Sequence, residues 1–438
     1  MHHLSLAIAD HTTRGFNTSS KAGFSLQLVT NEELLDHTVR RGSDGFLYFR
    51  HSLRASVSDA KPPPRRPRPL GTSVYVGTGN GRGQFLLKVD ATSIMMWLQC
   101  EPCRPQAQQG RPLFVPRDSP SFVAVHGASG GCDRRFFTPL PNNLCAFHYT
   151  GNGNRVNGIL ARDHVTRQDG VDLGVIFIGC AHNSVIFRND GIYAGVVGLG
   201  RVPQPSPVSS QPHVLGMAHG HTSFSYCLSG ETNRQGLLRF GTDVPVLHTS
   251  RYRTTRILPA LHAQDGAYHV SLVGVSLGAH ILDAVRPEMF GRRGEDVGEG
   301  GCIIDIGTPL TVMAQEAYSV VEEAVWSELQ RHGAERVEQH DYGLCVRATE
   351  ATKRRLPSMS LHFAEEEATL VVSPKHLFLI MDDMYKKAGQ IACLAMRPGR
   401  RTVIGALQQV DTRFVFDLEG DRISFAPESC TKETTLVV

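Results

Sequence analysis

The sequence predicts an all-β protein made of two similar lobes with a few surface helices. Three observations carry that expectation. Short apolar segments recur from about residue 71 onward, among them GQFLLKVD, IMMWLQC, SFVAVHG, GVIFIGC, AGVVGLG, AYHVSLVGVSLG, CIIDIG, TLVVS, TVIGAL and TRFVFDL, with Gly, Pro, Asn and Asp between them. Glycine (43) and proline (24) supply the turns that so many short strands require. The 438 residues exceed one ordinary core and suit two lobes of roughly 150–200 residues plus a further segment.

In chain order, residues 1–60 are polar and mixed, with one amphipathic stretch, NEELLDHTVRRGSDGFLYF. The proline-arginine run KPPPRRPRPLG (61–71) reads as an extended, exposed linker where a protease could cut. The β-rich segments follow it. One clear helix is expected over 314–333, because Ala317, Tyr318, Val320, Val321, Ala324, Val325 and Leu329 recur at i, i+3 and i+4. Gly333 then stops it.

Composition excludes several classes. Hydrophobic residues make 41% and charged residues 20%, so the chain is globular rather than disordered. A net charge of +3 gives no field for gripping nucleic acid, and no such partner is expected. No apolar run reaches the ~18 residues of a membrane span. The ten cysteines are scattered along the chain, which favours long-range disulfides in an oxidising compartment. Cys100 and Cys103 form a CxxC, but no second half at zinc-finger spacing follows, so no metal is expected. The opening MHHLSLAIADHTTRG lacks the apolar core of a signal peptide, so none is visible. A missing upstream exon would reconcile that with the cysteines.

Several motifs reduce to turns. GVSLG (274–278) matches the nucleophile elbow of serine hydrolases, yet it continues an alternating run and reads as a hairpin rather than a strand-to-helix turn. GTGNGRG (77–83) is followed by a strand where a phosphate cradle needs a helix. HVLGMAHGHTS (213–223) gathers three histidines without a helical pair or convergent carboxylates.

A weak internal repeat remains. LLKVDATS (86–93) and CIIDIGT (302–308) both run apolar residues into an Asp and end on a hydroxyl. About a hundred residues after each comes an apolar pair closing on Gly, in GVVGLG (195–200) and TVIGALQ (402–408). Singly, Asp90 and Asp305 would be ordinary turn aspartates. As a pair in matching contexts they suggest two carboxylates at a lobe interface, sharing one proton because both cannot ionise together. One can then take a proton from water while the other protonates a carbonyl oxygen.

At these residues the sequence resembles the pepsin-like aspartic proteases of the plant, nepenthesin-like type. The resemblance runs from about Gly71 to Cys430. It is carried by MMWLQCEPC (95–103), PLFVPRDSPSFVAV (112–125), CAFHYTGNGNRVNGILARDHV (145–165), IFIGCAHN, GVVGLGR, SFSYCL, GGCIIDIGTPLTVMAQEAY (300–318) and VIGALQQVDTRFVFDLEGDRISFAPESC (403–430). GFSLQLV (23–29) resembles the start of a family propeptide.

The resemblance implies a bilobal pepsin-like fold, with 1–70 as pro-segment and linker, 71–250 as the N-terminal lobe with its flap, and 251–438 as the C-terminal lobe. It implies an acid endopeptidase, monomeric and without cofactor, acting on a polypeptide in an inter-lobe cleft. Asp90 and Asp305 would be the catalytic pair, with Ser93 and Thr308 bonded to their outer oxygens, Gly307 in the second motif and Tyr149 on the flap. Cys345 and Cys393 would be joined, and the protein would be extracellular or vacuolar. The family motif, Asp-Thr/Ser-Gly-Ser/Thr, is altered twice. It reads Asp90-Ala91-Thr92-Ser93 and Asp305-Ile306-Gly307-Thr308, so both inner hydroxyls are lost and Thr92 crowds a turn that usually has Gly. These changes give weight to a second reading, a non-catalytic binding protein resembling the cereal xylanase inhibitors.

Overall fold

The computed structural model describes residues 23–29, 39–41, 43–44, 46–49, 70–151, 154–186, 191–201, 221–231, 234–246, 251–262, 265–293, 299–339, 342–382 and 389–430. It is built mostly from strands, with three α-helices among the described residues. The expected β-segments form strands, from Gly83–Asp90 through Cys302–Ile304 to Thr412–Asp417. The long helix spans Gln315–Arg331 and buries Ala317, Tyr318, Val321, Val325 and Leu329, the apolar stripe of its sequence. Gly333 takes φ +74° just beyond it, a conformation that costs glycine little.

A six-stranded sheet ties the two halves of the chain together. Its order is Phe24–Gln27, Arg234–Phe240, Ser223–Glu231, Thr412–Asp417, Arg422–Pro427, Arg253–Arg256. At its centre Phe224 and Phe416, from opposite halves, stack with centroids 4.4 Å apart. The N-terminal half adds a nine-stranded sheet containing Gly83–Asp90, and the C-terminal half adds a five-stranded sheet containing Cys302–Ile304. The segment 23–29 is part of this framework. Phe24, Leu26 and Leu28 are buried, and Val29 exchanges backbone hydrogen bonds with Gly71.

The internal repeat has a structural basis. Gly195–Gly198 lies parallel to Gly83–Asp90 with Gly198 opposite Asp90, and Thr402–Ile404 lies parallel to Cys302–Ile304 with Ile404 opposite Ile304. Each acid therefore leaves its strand beside an apolar partner strand. The backbone locks are Leu199 N–H to Asp90 O at 2.9 Å and Asp305 N–H to Ile404 O at 3.1 Å. Parallel partners cannot be joined by a tight turn, so each acid strand and its partner are far apart in sequence.

Four disulfides join Cys100–Cys180, Cys132–Cys145, Cys227–Cys430 and Cys345–Cys393. The CxxC is thus divided, Cys100 pairing across the sheet while Cys103 stays a buried thiol. GVSLG is a hairpin turn with Gly278 at φ +57°. Its Ser276 Oγ lies 2.6 Å from His362 Nε2, but the other ring nitrogen meets Thr369 Oγ1 rather than a carboxylate. GTGNGRG closes the hairpin between Gly71–Val76 and Gly83–Asp90. Residues 213–220 of the histidine-rich stretch lie outside the described residues, and no group of three metal ligands occurs among those described.

Candidate active site

The two strand ends bring Asp90 and Asp305 to one place. Both are buried, at 4% exposure each. The backbone N–H of Ala91 donates to Asp305 Oδ1 at 3.1 Å, a bond that joins the two motifs directly. Gly307 completes the close approach. A Cβ there would stand 2.7 Å from Val89 O and 3.0 Å from Asp90 Cα, so only glycine fits.

Each carboxylate has its own donors. Asp305 Oδ1 also accepts from Gly307 N–H at 2.8 Å, and Oδ2 accepts from Thr308 Oγ1 at 2.6 Å. Asp90 Oδ1 accepts from Thr92 N–H at 2.9 Å, Thr92 Oγ1 at 2.6 Å and Ser93 N–H at 3.2 Å. The expected hydroxyl contact from Ser93 is not made. Ser93 Oγ donates to Met95 O at 3.1 Å, and the hydroxyl on Asp90 comes from Thr92 instead. Nor does Thr92 strain its turn. Among the described residues, positive φ outside glycine occurs only at Asn143, Glu367, Asp411 and Asp421. The residue that replaces the motif glycine therefore supplies a bond the glycine could not.

Where the family has inner hydroxyls, Ala91 and Ile306 are fully buried in the main apolar cluster. The junction between motifs is held there by packing and by the Ala91 N–H bond.

Lys88 is the site residue that sequence reasoning passed over. Its Nζ lies 3.3 Å from Asp90 Oδ2. The signal was present in the strand period, since residues 88 and 90 share one face while Phe85, Leu87 and Val89 bury the other. Burial alone would raise the Asp90 carboxyl, but the Lys88 ammonium and the Thr92 donors outweigh it and hold the group below its usual range. Asp305 goes the other way, raised by burial and by the neighbouring Asp90 charge. Of the two, Asp305 therefore holds a proton more readily than Asp90.

Tyr149 lies on the hairpin of Cys145–Gly151 and Asn154–Arg167, opposite Val156. Burial, then the charges of Asp90 and Asp305, push its phenol far above the ordinary value, so it stays neutral and feels both acids. Its ring lies 6.1 Å from that of Trp97, whose buried indole N–H has no hydrogen-bond acceptor among the described residues. The hairpin tip, 152–153, lies outside the described residues.

Paired buried acids of opposite proton affinity, on duplicated strand ends of an all-β fold, define a class of protein. Two family models match, described as "Xylanase inhibitor N-terminal" over residues 73–242 and "Xylanase inhibitor C-terminal" over 267–427, together about three quarters of the chain. The chain belongs to the pepsin-like aspartic proteinase family. More particularly, it is similar to aspartic proteinase nepenthesin-2 of Nepenthes gracilis, 26% identical over 92% of this chain and 87% of the relative. It is also similar to aspartyl protease family protein 2 of Arabidopsis thaliana, 28% identical over 83% of this chain and 75% of that one. In fold it matches the solved structure of soybean basic 7S globulin, with a TM-score of 0.63 and 18% identity over 94% of this chain and 99% of that one. The structure of edgp matches with a TM-score of 0.61 and 20% identity over 84% and 93%.

Proposed function

We propose that this protein is an aspartic endopeptidase that hydrolyses peptide bonds in a cleft between its lobes, with Asp90 as base and Asp305 as acid. The observation that carries the reading is the buried pair itself, its motifs joined by Ala91 N–H to Asp305 Oδ1, with Asp90 lowered beside Lys88 and Asp305 raised by burial and the Asp90 charge. Ionised Asp90 takes a proton from water as the water oxygen attacks the carbonyl carbon. Asp305 gives its proton to the carbonyl oxygen, forming a tetrahedral diol. Asp90 then passes its proton to the leaving nitrogen while Asp305 recovers one from the diol, and the C–N bond breaks. Neutral Tyr149 closes over the substrate, and Thr308 and Thr92 orient the two acids.

The similarity to plant aspartic proteinases and the four disulfides support an extracellular or vacuolar site of action. The division into a 1–70 pro-segment and lobes 71–250 and 251–438 belongs to the same proposal. A second reading is favoured by one observation, the replacement of both inner hydroxyls by buried Ala91 and Ile306. On that reading the protein binds partners on the same fold without turnover. Incubation with denatured haemoglobin at acid pH, with and without pepstatin, separates the two. Pepstatin-sensitive cleavage that is lost in Asp90→Asn and Asp305→Asn supports the enzyme. Folded protein that cleaves nothing supports the binding protein.

A further inference from the structure

Lys88 places a cation beside the acid pair, and the strand pattern explains how. Gly83–Asp90 buries Phe85, Leu87 and Val89 on one face, which leaves Lys88 to share the other with Asp90. Its strand neighbours are Gly71 on one side and Val196 on the other. The space a Gly71 side chain would take is filled by the Tyr193 ring and the Leu86 side chain. Val196 belongs to the apolar cluster of Trp97 and Phe147, against which Tyr149 packs. The Lys88 side chain is 29% exposed, whereas that of Asp90 is 6% exposed. The ammonium thus stands at the open edge of the pair, 3.3 Å from Asp90 Oδ2.

A scissile carbonyl carbon attacked beside Asp90 brings the flanking side chains with it. Consecutive Cα atoms are about 3.8 Å apart, so a residue adjoining the bond can reach a group that touches an oxygen of Asp90. An acidic side chain entering there would be repelled by ionised Asp90 unless a cation stood between them. Lys88 is that cation. An ammonium has three donors and can serve Asp90 and a substrate carboxylate together.

We propose that Lys88 is a specificity-determining residue that selects peptides carrying a carboxylate side chain next to the bond held at Asp90 and Asp305. The inference rests on the peptide-cleft reading above and names its substrate class. Lys88 donates to the substrate carboxylate and offsets the charge of Asp90.

Binding tests this without requiring turnover. Two pepstatin-type inhibitors, differing only by Glu or Gln beside the statine, are titrated calorimetrically at about pH 5.5, where the Glu is ionised. Wild type and Lys88→Arg should bind the Glu form at least about fivefold more tightly. Lys88→Met should lose the Glu preference and bind the Glu and Gln forms alike. Wild type that binds pepstatin but treats Glu and Gln alike overturns the Lys88 assignment and leaves the acid-pair reading standing. So does a Glu preference that survives in Lys88→Met. Folded wild type that binds none of the three ligands overturns both readings.

Discussion

The Ala91 N–H to Asp305 Oδ1 bond, 3.1 Å long, ties the first motif to the acid of the second. It uses backbone, so it survives the loss of a hydroxyl at position 91. With Gly307 pressed against Val89 and Asp90, it holds the two acids together in a chain whose motif side chains have changed.

Position 307 should be the least tolerant in the site. Gly307→Ala puts a methyl group 2.7 Å from Val89 O, which must move the strand end carrying Asp90. A displacement near 1 Å should cost on the order of 100-fold in kcat/KM. Circular dichroism should show a folded variant. An alanine enzyme with wild-type kinetics would mean that the close approach is not needed.

The pH profile follows from the two shifts. Asp90 lies below its ordinary value, so the acid limb of kcat/KM should fall below the usual carboxylate range. Asp305 lies above its ordinary value, so the alkaline limb should extend past that range, giving a broad plateau. Stability carries the second sign. Because the folded Asp305 carboxyl is raised, its contribution is present below the unfolded value and is lost as pH rises through the folded one. Asp305→Asn should therefore melt a few degrees higher than wild type near neutral pH and lose that advantage in acid, while abolishing turnover. Both limbs falling together within the ordinary aspartate range would contradict the split.

Restoring the inner hydroxyls should restore lost positioning. Ala91→Thr with Ile306→Ser, leaving Thr92 in place, should raise acid protease activity at least about tenfold. Thr92 is kept because its hydroxyl and N–H both bond Asp90. The new hydroxyls enter an apolar cluster and would each cost about 1–3 kcal/mol if unpaired. A lower Tm without a gain in rate would thus show that the hydroxyls find no partners.

Thiol chemistry should distinguish eight cysteines from two. Cys103 and Cys302 are buried thiols, raised by burial, and should resist alkylation in the native protein. Unfolding without reductant should expose those two alone, and mass mapping should recover the pairs Cys100–Cys180, Cys132–Cys145, Cys227–Cys430 and Cys345–Cys393. Alkylation of most of the ten would point to a reducing compartment.

Limited proteolysis should cut first within 54–71, the stretch that contains the proline-arginine run. The released segment should nevertheless stay bound, because Phe24–Gln27 is hydrogen-bonded to Arg234–Phe240 and its apolar side chains are buried. Gel filtration after the cut should show both pieces together until denaturant is added. Immediate separation would mean that the strand contributes little.

The sequence by itself determined the strands, the long helix and the two acids. These are local matters: apolar runs between turn residues, a 3.6-residue stripe ending at Gly333, and an Asp closing each of two similar strands. Even the duplication was legible, since each Asp strand and its later apolar-Gly partner recur in the same order. What only the tertiary structure decided depends on distances across the chain. Ser93 was expected to hold Asp90 by its hydroxyl, but the turn aims that group at Met95 O and brings Thr92 to the acid instead. Lys88 looked like one charge in an apolar strand until folding set its ammonium at a buried carboxylate. The opposite proton affinities of Asp90 and Asp305 have the same origin. Two identical side chains differ only by their surroundings: Asp90 has Lys88 and Thr92 two residues away on either side, whereas Asp305 meets the Asp90 charge from more than two hundred positions away.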